Sequence, residues 1–269
     1  MHPTLINLGF VHIRSYGFML AISFLVGIWV AARRAQKRGV EPQLILDLSV
    51  YIILAAVVGA RLLYVVFHLP DFHNPLDVFA LWQGGATFYG GLLAALLVAY
   101  IFVSRKGVAF LEVADIMAPS IALGLMFTRV GCFMSGCCFG KPTTMPWGVT
   151  FPGNCPAGHA ALLDAQALGV SHVALHPTEL YSSAYGLIIF LLLIGLERYL
   201  MRRGAVFGAL LVFYGIARFT VDFFRYYEAN ARVLAGLTFN QLISVVLVIV
   251  GVYLVFRRRV PALSRPPGS

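Results

Sequence analysis

The sequence predicts an all-α polytopic membrane protein with seven transmembrane helices. The N-terminus lies outside, the C-terminus is cytoplasmic, and a small extracytoplasmic cap is added. Three observations predict this. Of 269 residues, 60% are hydrophobic and only 12% charged, about half the charged fraction of a soluble domain. Seven apolar runs approach the roughly 20 residues that cross a bilayer core. Thirteen of the 20 Lys and Arg residues fall on one side of the membrane when the runs number seven. The composition excludes a soluble enzyme, a disordered chain and a secreted disulfide knot. The net charge of +9 is then a matter of sidedness. No basic segment interleaved with aromatics argues for nucleic acid.

The first run, Tyr16–Ala32, is uncharged. The second, about Leu44–Phe67, is interrupted by Asp47 and Arg61. The third, about Ala86–Ser104, is uncharged, and the fourth, about Leu111–Thr128, has Glu112 and Asp115 at its start. The fifth is Leu180–Leu196, and the sixth, about Ala205–Phe224, contains Arg218 and Asp222. The seventh, about Val233–Phe256, is long and uncharged. Basic clusters occupy alternate connections: Arg33, Arg34, Lys37 and Arg38; Arg105 and Lys106; Arg198, Arg202 and Arg203; then Arg257, Arg258, Arg259 and Arg265. The positive-inside rule makes these cytoplasmic. No cleaved signal peptide is expected, because the first basic cluster follows the apolar run instead of preceding it. Met1–Ser15 is read as a short helix on the outer surface. Residues 1–269 form one integral membrane domain, with about Cys132–Pro177 as the outward-facing cap.

The other basic residues are Arg14, Arg61, Arg129, Lys141, Arg218, Arg225 and Arg232. Arg61, Arg129 and Arg218 stand toward the outer ends of the second, fourth and sixth runs. A guanidinium in the hydrocarbon costs about 2.5–3.5 kcal/mol on insertion scales. Three at matched depth point to a shared anion, whereas a single one would be read as a snorkelling anchor. Arg218, Asp222 and Arg225 are spaced to share one helix face. Asp222 is the one obvious acidic partner, so a positive excess is left over. Guanidinium forks suit phosphate, and the commonest phosphate at that depth is a phospholipid headgroup. Glycines stand beside these positions: Gly84, Gly85, Gly90 and Gly91, then Gly131, Gly136 and Gly140. They serve either close helix packing or a cavity wall.

Six segments carry a resemblance. They are Arg14-Ser15-Tyr16-Gly17, Gly59-Ala60-Arg61-Leu62-Leu63-Tyr64 and Gly84-Gly85-Ala86-Thr87-Phe88-Tyr89-Gly90-Gly91. Then come the stretch from Arg129 through Cys132, Cys137, Cys138 and Gly140 to Pro142, His176-Pro177-Thr178-Glu179-Leu180-Tyr181, and the stretch from Tyr214 to Arg225. In this order they resemble the bacterial phosphatidylglycerol–prolipoprotein diacylglyceryl transferases. The resemblance implies transfer of the diacylglyceryl group of phosphatidylglycerol to the lipobox cysteine of a prolipoprotein. The bond formed is a thioether, and glycerol phosphate is released. It implies the bacterial inner membrane, a lipid and a signal peptide as partners, no nucleic acid and no cofactor. Arg129 and Arg218 match the family's essential arginines. Tyr16, Gly140 and Tyr214 match other positions the family relies on. Gly85, Gly90, His176 and Tyr181 within the segments, with Arg61, Asp222 and Arg225, complete the expected substrate-binding set. The family often has His where this chain has Tyr89, and Asn and Glu where it has Cys132 and Cys137.

Thiol alkylation at a phosphate ester needs a stabilised leaving phosphate and a deprotonated thiol. Arg129 and Arg218 are the candidates for the first, with Arg61 or Arg225 behind them. Tyr89 is the candidate base by position, with His176 and the lipid phosphate as rivals. Cys132, Cys137, Cys138 and Cys155 lie where disulfides form. A bridge from Cys137 or Cys138 to Cys155 and unpaired cysteines are both open readings. The spacing is not that of a standard zinc finger. Glu179 is read as a cap of the fifth run. A transporter or flippase for an anionic lipid is the competing class. It would want polar residues on the cytoplasmic side and an inverted repeat, and neither is evident.

Overall fold

The computed structural model describes residues 4–7, 12–69, 85, 87–200, 202–227, 232–234 and 236–257. Gly84, Ala86, His2, His73, Arg258, Arg259 and Arg265 lie outside the described residues, as do the side chains of His12 and Arg232. Among the described residues there are eight helices, and seven are long and apolar enough to cross a membrane. These seven are α1 (Ser15–Lys37), α2 (Pro42–Phe67), α3 (Phe88–Arg105), α4 (Phe110–Ser135), α6 (Thr178–Leu196), α7 (Ala205–Asp222) and α8 (Phe239–Phe256). The eighth helix, α5 (Pro156–Leu168), lies within the cap segment. Helices satisfy their own backbone hydrogen bonds, which a bilayer core requires.

Four departures from the sequence reading have local causes. Within Met1–Ser15 the described residues are not a surface helix: β1 (Thr4–Asn7) pairs antiparallel with β2 (His12–Arg14), and Ser15 opens α1. The β-branched Thr4, Ile6 and Ile13 of these strands favour extended backbone over helix. α4 runs to Ser135, past Thr128, because the residues after Arg129 remain apolar until Gly136 adopts φ +66°. α7 stops at Asp222, so Arg225 is not on its face; Arg225 instead bridges to Gly140 in extended backbone. α8 starts at Phe239, because β3 (Arg232–Leu234) and β4 (Leu237–Thr238) pair first. Thr238 and Gln241 then form a reciprocal capping box at its N-terminus.

The chain divides into two units, Ile28–Ile116 and the remainder, Met1–Gly27 with Met117–Ser269. In the larger unit α7 packs along α8 through facing glycines. A Cβ on Gly208 would stand 2.8 Å from Gly251 O, and one on Gly215 would stand 2.8 Å from Ser244 O. Small residues at such crossings let helix backbones approach in lipid. Ala118, Ala122, Ile189, Leu193, Val206 and Leu210 fill the core between α4, α6 and α7. Within the segment that joins α4 to α6, Ala157, Ala161 and Ala165 of α5 pack on Phe151, Val173 and Leu175.

In the smaller unit α2 packs on α3. A Cβ on Gly90 would collide with Gly59 O and Leu63 Cβ, so both glycines are required by the helix contact. Arg34, expected in a cytoplasmic connection, is buried in α1 instead. Its Nε donates to Ile116 O at 3.0 Å and its Nη2 to Asp115 O at 3.4 Å. Pro119 lacks the N–H that would otherwise bond the Asp115 carbonyl.

Candidate active site

Arg129 lies inside α4, one and a half turns before its end, where Gly136 and Cys138 turn the chain. Gly136 N donates to Phe133 O at 3.2 Å and Cys137 N to Cys132 O at 3.1 Å. Cys138 has φ +69°, the left-handed region that non-glycine residues rarely enter. Thr178 Oγ1 holds this turn by donating to Cys138 O at 2.8 Å. The turn gathers the Sγ atoms of Cys132, Cys137 and Cys138 within 4.8 Å of one another. Hydrogen bonds from its sulfur neighbours, Cys132 first, hold the Cys138 thiol well below the ordinary thiol range. Cys155 is apart from this group; its thiol donates to Pro152 O at 3.1 Å. None of the four cysteines is in a disulfide. Of the two open readings, unpaired cysteines and a bridge from Cys137 or Cys138 to Cys155, the structure shows the unpaired one.

Arg218 is buried on α7 and is not a bare cation. Its Nη2 lies 3.0 Å from Asp222 Oδ1 and donates to Tyr227 Oη at 3.1 Å. Tyr227 in turn donates to Asp222 Oδ1 at 2.6 Å and accepts from Asn240 Nδ2 at 3.0 Å. Thr238 Oγ1 donates to Asp222 Oδ2. Burial first, and then the bond to Asp222, push the Tyr227 phenol up, so it stays protonated. The other side of the fork is unused: Arg218 Nη1 is buried and has no hydrogen-bond partner in the protein. Arg129 Nε is in the same condition.

Between them stands Tyr185, whose charge interactions include both Arg129 and Arg218. By geometry its buried hydroxyl has no hydrogen-bond partner, and the neighbouring Ser182 Oγ donates to Thr178 O at 2.8 Å. The ring of Tyr214 meets that of Tyr185 edge-on at 6.2 Å. Tyr16 on α1 lies in the field of Arg129 and the three thiols, and Gly131 lets α1 approach: a Cβ there would stand 3.3 Å from Tyr16 Cα.

Isolated backbone bridges after Gly136 complete this side. Gly140 N donates to His176 O at 2.9 Å, and Lys141 N to Phe224 O at 2.8 Å. A Cβ on Gly140 would lie 2.6 Å from His176 O, so this glycine serves close backbone approach. Trp147 Nε1 donates to Tyr181 Oη at 2.8 Å, and Tyr181 Oη stands 3.0 Å from His176 Nδ1. Burial lowers the His176 pKa, which keeps the ring neutral. Tyr181 Oη and His176 Nδ1 thus share one hydrogen bond at 3.0 Å. Glu179 is buried, and neither carboxylate oxygen reaches another residue through a hydrogen bond. The N-cap position of α6 is Pro177, Glu179 stands in its first turn, and Glu179 lies in the fields of Cys138, Arg225 and Arg129.

In the smaller unit, Arg61 is buried on α2. Its Nη1 donates to Gly85 O at 3.0 Å and its guanidinium stands 5.7 Å from the Tyr64 ring centroid. Gly85 has φ +75°, and a Cβ there would meet Tyr64 and Arg61. Tyr89 is exposed on α3, its ring edge-on to Phe88 at 5.7 Å.

Of the expected residues, Arg129, Arg218, Tyr16, Tyr214, Asp222, Arg225, Gly140, His176 and Tyr181 belong to one unit; Arg61, Gly85, Gly90 and Tyr89 belong to the other. Sequence reasoning missed Tyr185, Tyr227, Thr238 and Asn240. The buried stripe Ser182, Tyr185, Gly186 and Ile189 on α6 was the available signal for the first. The chemistry on offer is anion binding by buried guanidinium and phenol donors.

The family model described as prolipoprotein diacylglyceryl transferase matches residues 3–257. The chain belongs to that family. It is 37% identical over 264 residues to a phosphatidylglycerol–prolipoprotein diacylglyceryl transferase of Solidesulfovibrio magneticus, covering 95% of this chain and 94% of that protein. It is 35% identical over 259 residues to the protein of that name from Nitratidesulfovibrio vulgaris, with 94% and 92% covered. It is 30% identical over 253 residues to the one from Clostridium tetani, with 94% and 96% covered.

Proposed function

We propose that this chain is a phosphatidylglycerol–prolipoprotein diacylglyceryl transferase of the bacterial inner membrane. It moves the diacylglyceryl group to the lipobox cysteine of a prolipoprotein, the first step of lipoprotein maturation. The cap faces outward and both substrates arrive through the lipid. The observation that carries the reading is the pair of buried guanidinium nitrogens, Arg129 Nε and Arg218 Nη1, left without protein partners around the Tyr185 hydroxyl. A buried unpaired donor costs about 1–3 kcal/mol, more when charged. A headgroup phosphate supplies the missing acceptors.

The reaction explains why two arginines are used. The acceptor sulfur attacks the glyceryl carbon, the C–O bond breaks, and its electron pair leaves on the phosphate oxygen. A phosphodiester with one negative charge becomes a glycerol phosphate with two. Donors fixed in place before that charge develops stabilise the transition state more than the ground state. Asp222, Tyr227 and Thr238 hold the Arg218 fork in position from behind. Tyr89 stands as the candidate base from its motif position alone. Arg61, Gly85 and Gly90 keep the local structure of the smaller unit in this reading.

The test is to incubate the purified full chain in detergent with phosphatidylglycerol and a synthetic lipobox peptide. The expected result is a peptide that gains a diacylglyceryl mass at its cysteine while glycerol phosphate is released. An unmodified peptide with the lipid intact, but with lipid moved between vesicle leaflets, would replace this reading with transport.

A further inference from the structure

We infer that Cys132, Cys137 and Cys138 form a three-thiolate site for one zinc ion, whose fourth position receives the acceptor thiol. The inference rests on the transferase reading for its second half only.

The three Sγ atoms lie within 4.8 Å of one another, and sulfurs each about 2.3 Å from one tetrahedral zinc would stand roughly 3.8 Å apart, inside that limit. The spacing in sequence hides this arrangement, since the cysteines close up only because the chain reverses at the end of α4. That reversal costs backbone strain: Cys138 adopts φ +69°, where glycine would sit without penalty. A non-glycine residue held there, its carbonyl pinned by Thr178 Oγ1 at 2.8 Å, points to a thiol needed at that place. The odd count argues likewise. A disulfide would use two of the three sulfurs and strand the third, whereas a metal uses all of them. Three thiolates on Zn²⁺ leave one net negative charge, and Arg129 and Arg225 are the cations whose fields reach Cys138.

Catalytic zinc sites keep three protein ligands and an open fourth position. A thiol entering that position loses its proton to solvent, because a coordinated thiol is deprotonated outright. The bound sulfur is then the nucleophile. Its C–S bond forms as the glyceryl C–O bond breaks, the leaving electron pair goes to the phosphate oxygen, and zinc keeps its charge throughout. The base otherwise assigned to Tyr89 is then not required.

The test uses the full chain purified under reductant in detergent. Metal analysis is expected to give about one zinc per chain. Replacement by cobalt(II) should give the near-ultraviolet thiolate band and the visible bands of a tetrahedral site, both changed by adding the lipobox peptide. Losing an outer-sphere partner costs about 10–100-fold in metal affinity, so Cys132→Ser and Cys137→Ser should lose more, while Cys155→Ser keeps the metal. The cobalt spectrum needs no variant and so does not depend on their folding. Absence of zinc and of cobalt thiolate bands in the reduced chain overturns the site, as does a disulfide between any two of the three that re-forms in preference to metal uptake. Conversion of the peptide by metal-free chain at an unchanged rate overturns the role of the metal and leaves the transferase reading intact. Stoichiometric zinc with no conversion of peptide upholds the site and overturns the transferase reading.

Discussion

Arg218 and Asp222 face each other across one turn of α7 at 3.0 Å, yet Arg218 Nη1 on the far side of the fork is buried without a partner. One half of the guanidinium is spent on the protein and the other half is kept for something else. A charge placed in this way is oriented before any ligand arrives, which is what electrostatic stabilisation of a leaving phosphate requires.

Asp222→Asn should be strongly destabilising. It removes the countercharge of a buried arginine, and breaking such a pair costs about 3–5 kcal/mol. Denaturation followed in detergent micelles measures it. A loss under about 1 kcal/mol, the value of an exposed pair, would show that the pair is solvated.

Arg129→Lys keeps the charge and loses the fork. A charge-assisted hydrogen bond is worth about 1.5–3 kcal/mol, so kcat/KM should fall about 10–100-fold. Arg129→Gln should fall further. Full activity in the lysine variant would count against bidentate phosphate binding.

Tyr185→Phe separates function from stability. The buried hydroxyl bonds nothing in the protein, so its removal should leave unfolding unchanged or slightly harder. Turnover should drop about 10-fold, the worth of one ordinary hydrogen bond to the ligand. Equal losses in stability and turnover would mean that the hydroxyl is structural.

Stability should fall in acid through His176. Burial sets its folded pKa below the ordinary 6.5. The unfolded chain therefore takes up a proton as the pH falls through 6.5, before the folded chain does. Stability is complete above that value and is lost below it, toward the folded pKa. Melting temperatures of wild type and His176→Gln across this range read the effect. A wild-type slope no steeper than that of the variant would exclude it.

Gly140→Ala should cost about 1–3 kcal/mol, the usual penalty of overpacking. Its Cβ would meet His176 O at 2.6 Å and Phe224 O at 2.7 Å, both backbone atoms that cannot swing aside. A native melting temperature in Gly140→Ala would show that the strands at His176 and Phe224 can separate.

Composition and the placement of charge determined the membrane class and the number of spans. These are properties of runs of neighbouring residues, and a bilayer accepts only long apolar helices. Local chemistry also accounts for the ends that shifted, at Gly136, Asp222 and Thr238. The tertiary structure alone decided which polar groups meet. Thr178 reaches Cys138 across 40 residues, and Thr238 reaches Asp222 across a turn outside both helices. Such contacts leave no periodic trace, because each depends on where two separate helices happen to end. For the same reason Cys132, Cys137 and Cys138 look unrelated to a metal site when written in a line and become a cluster once the chain reverses at Gly136.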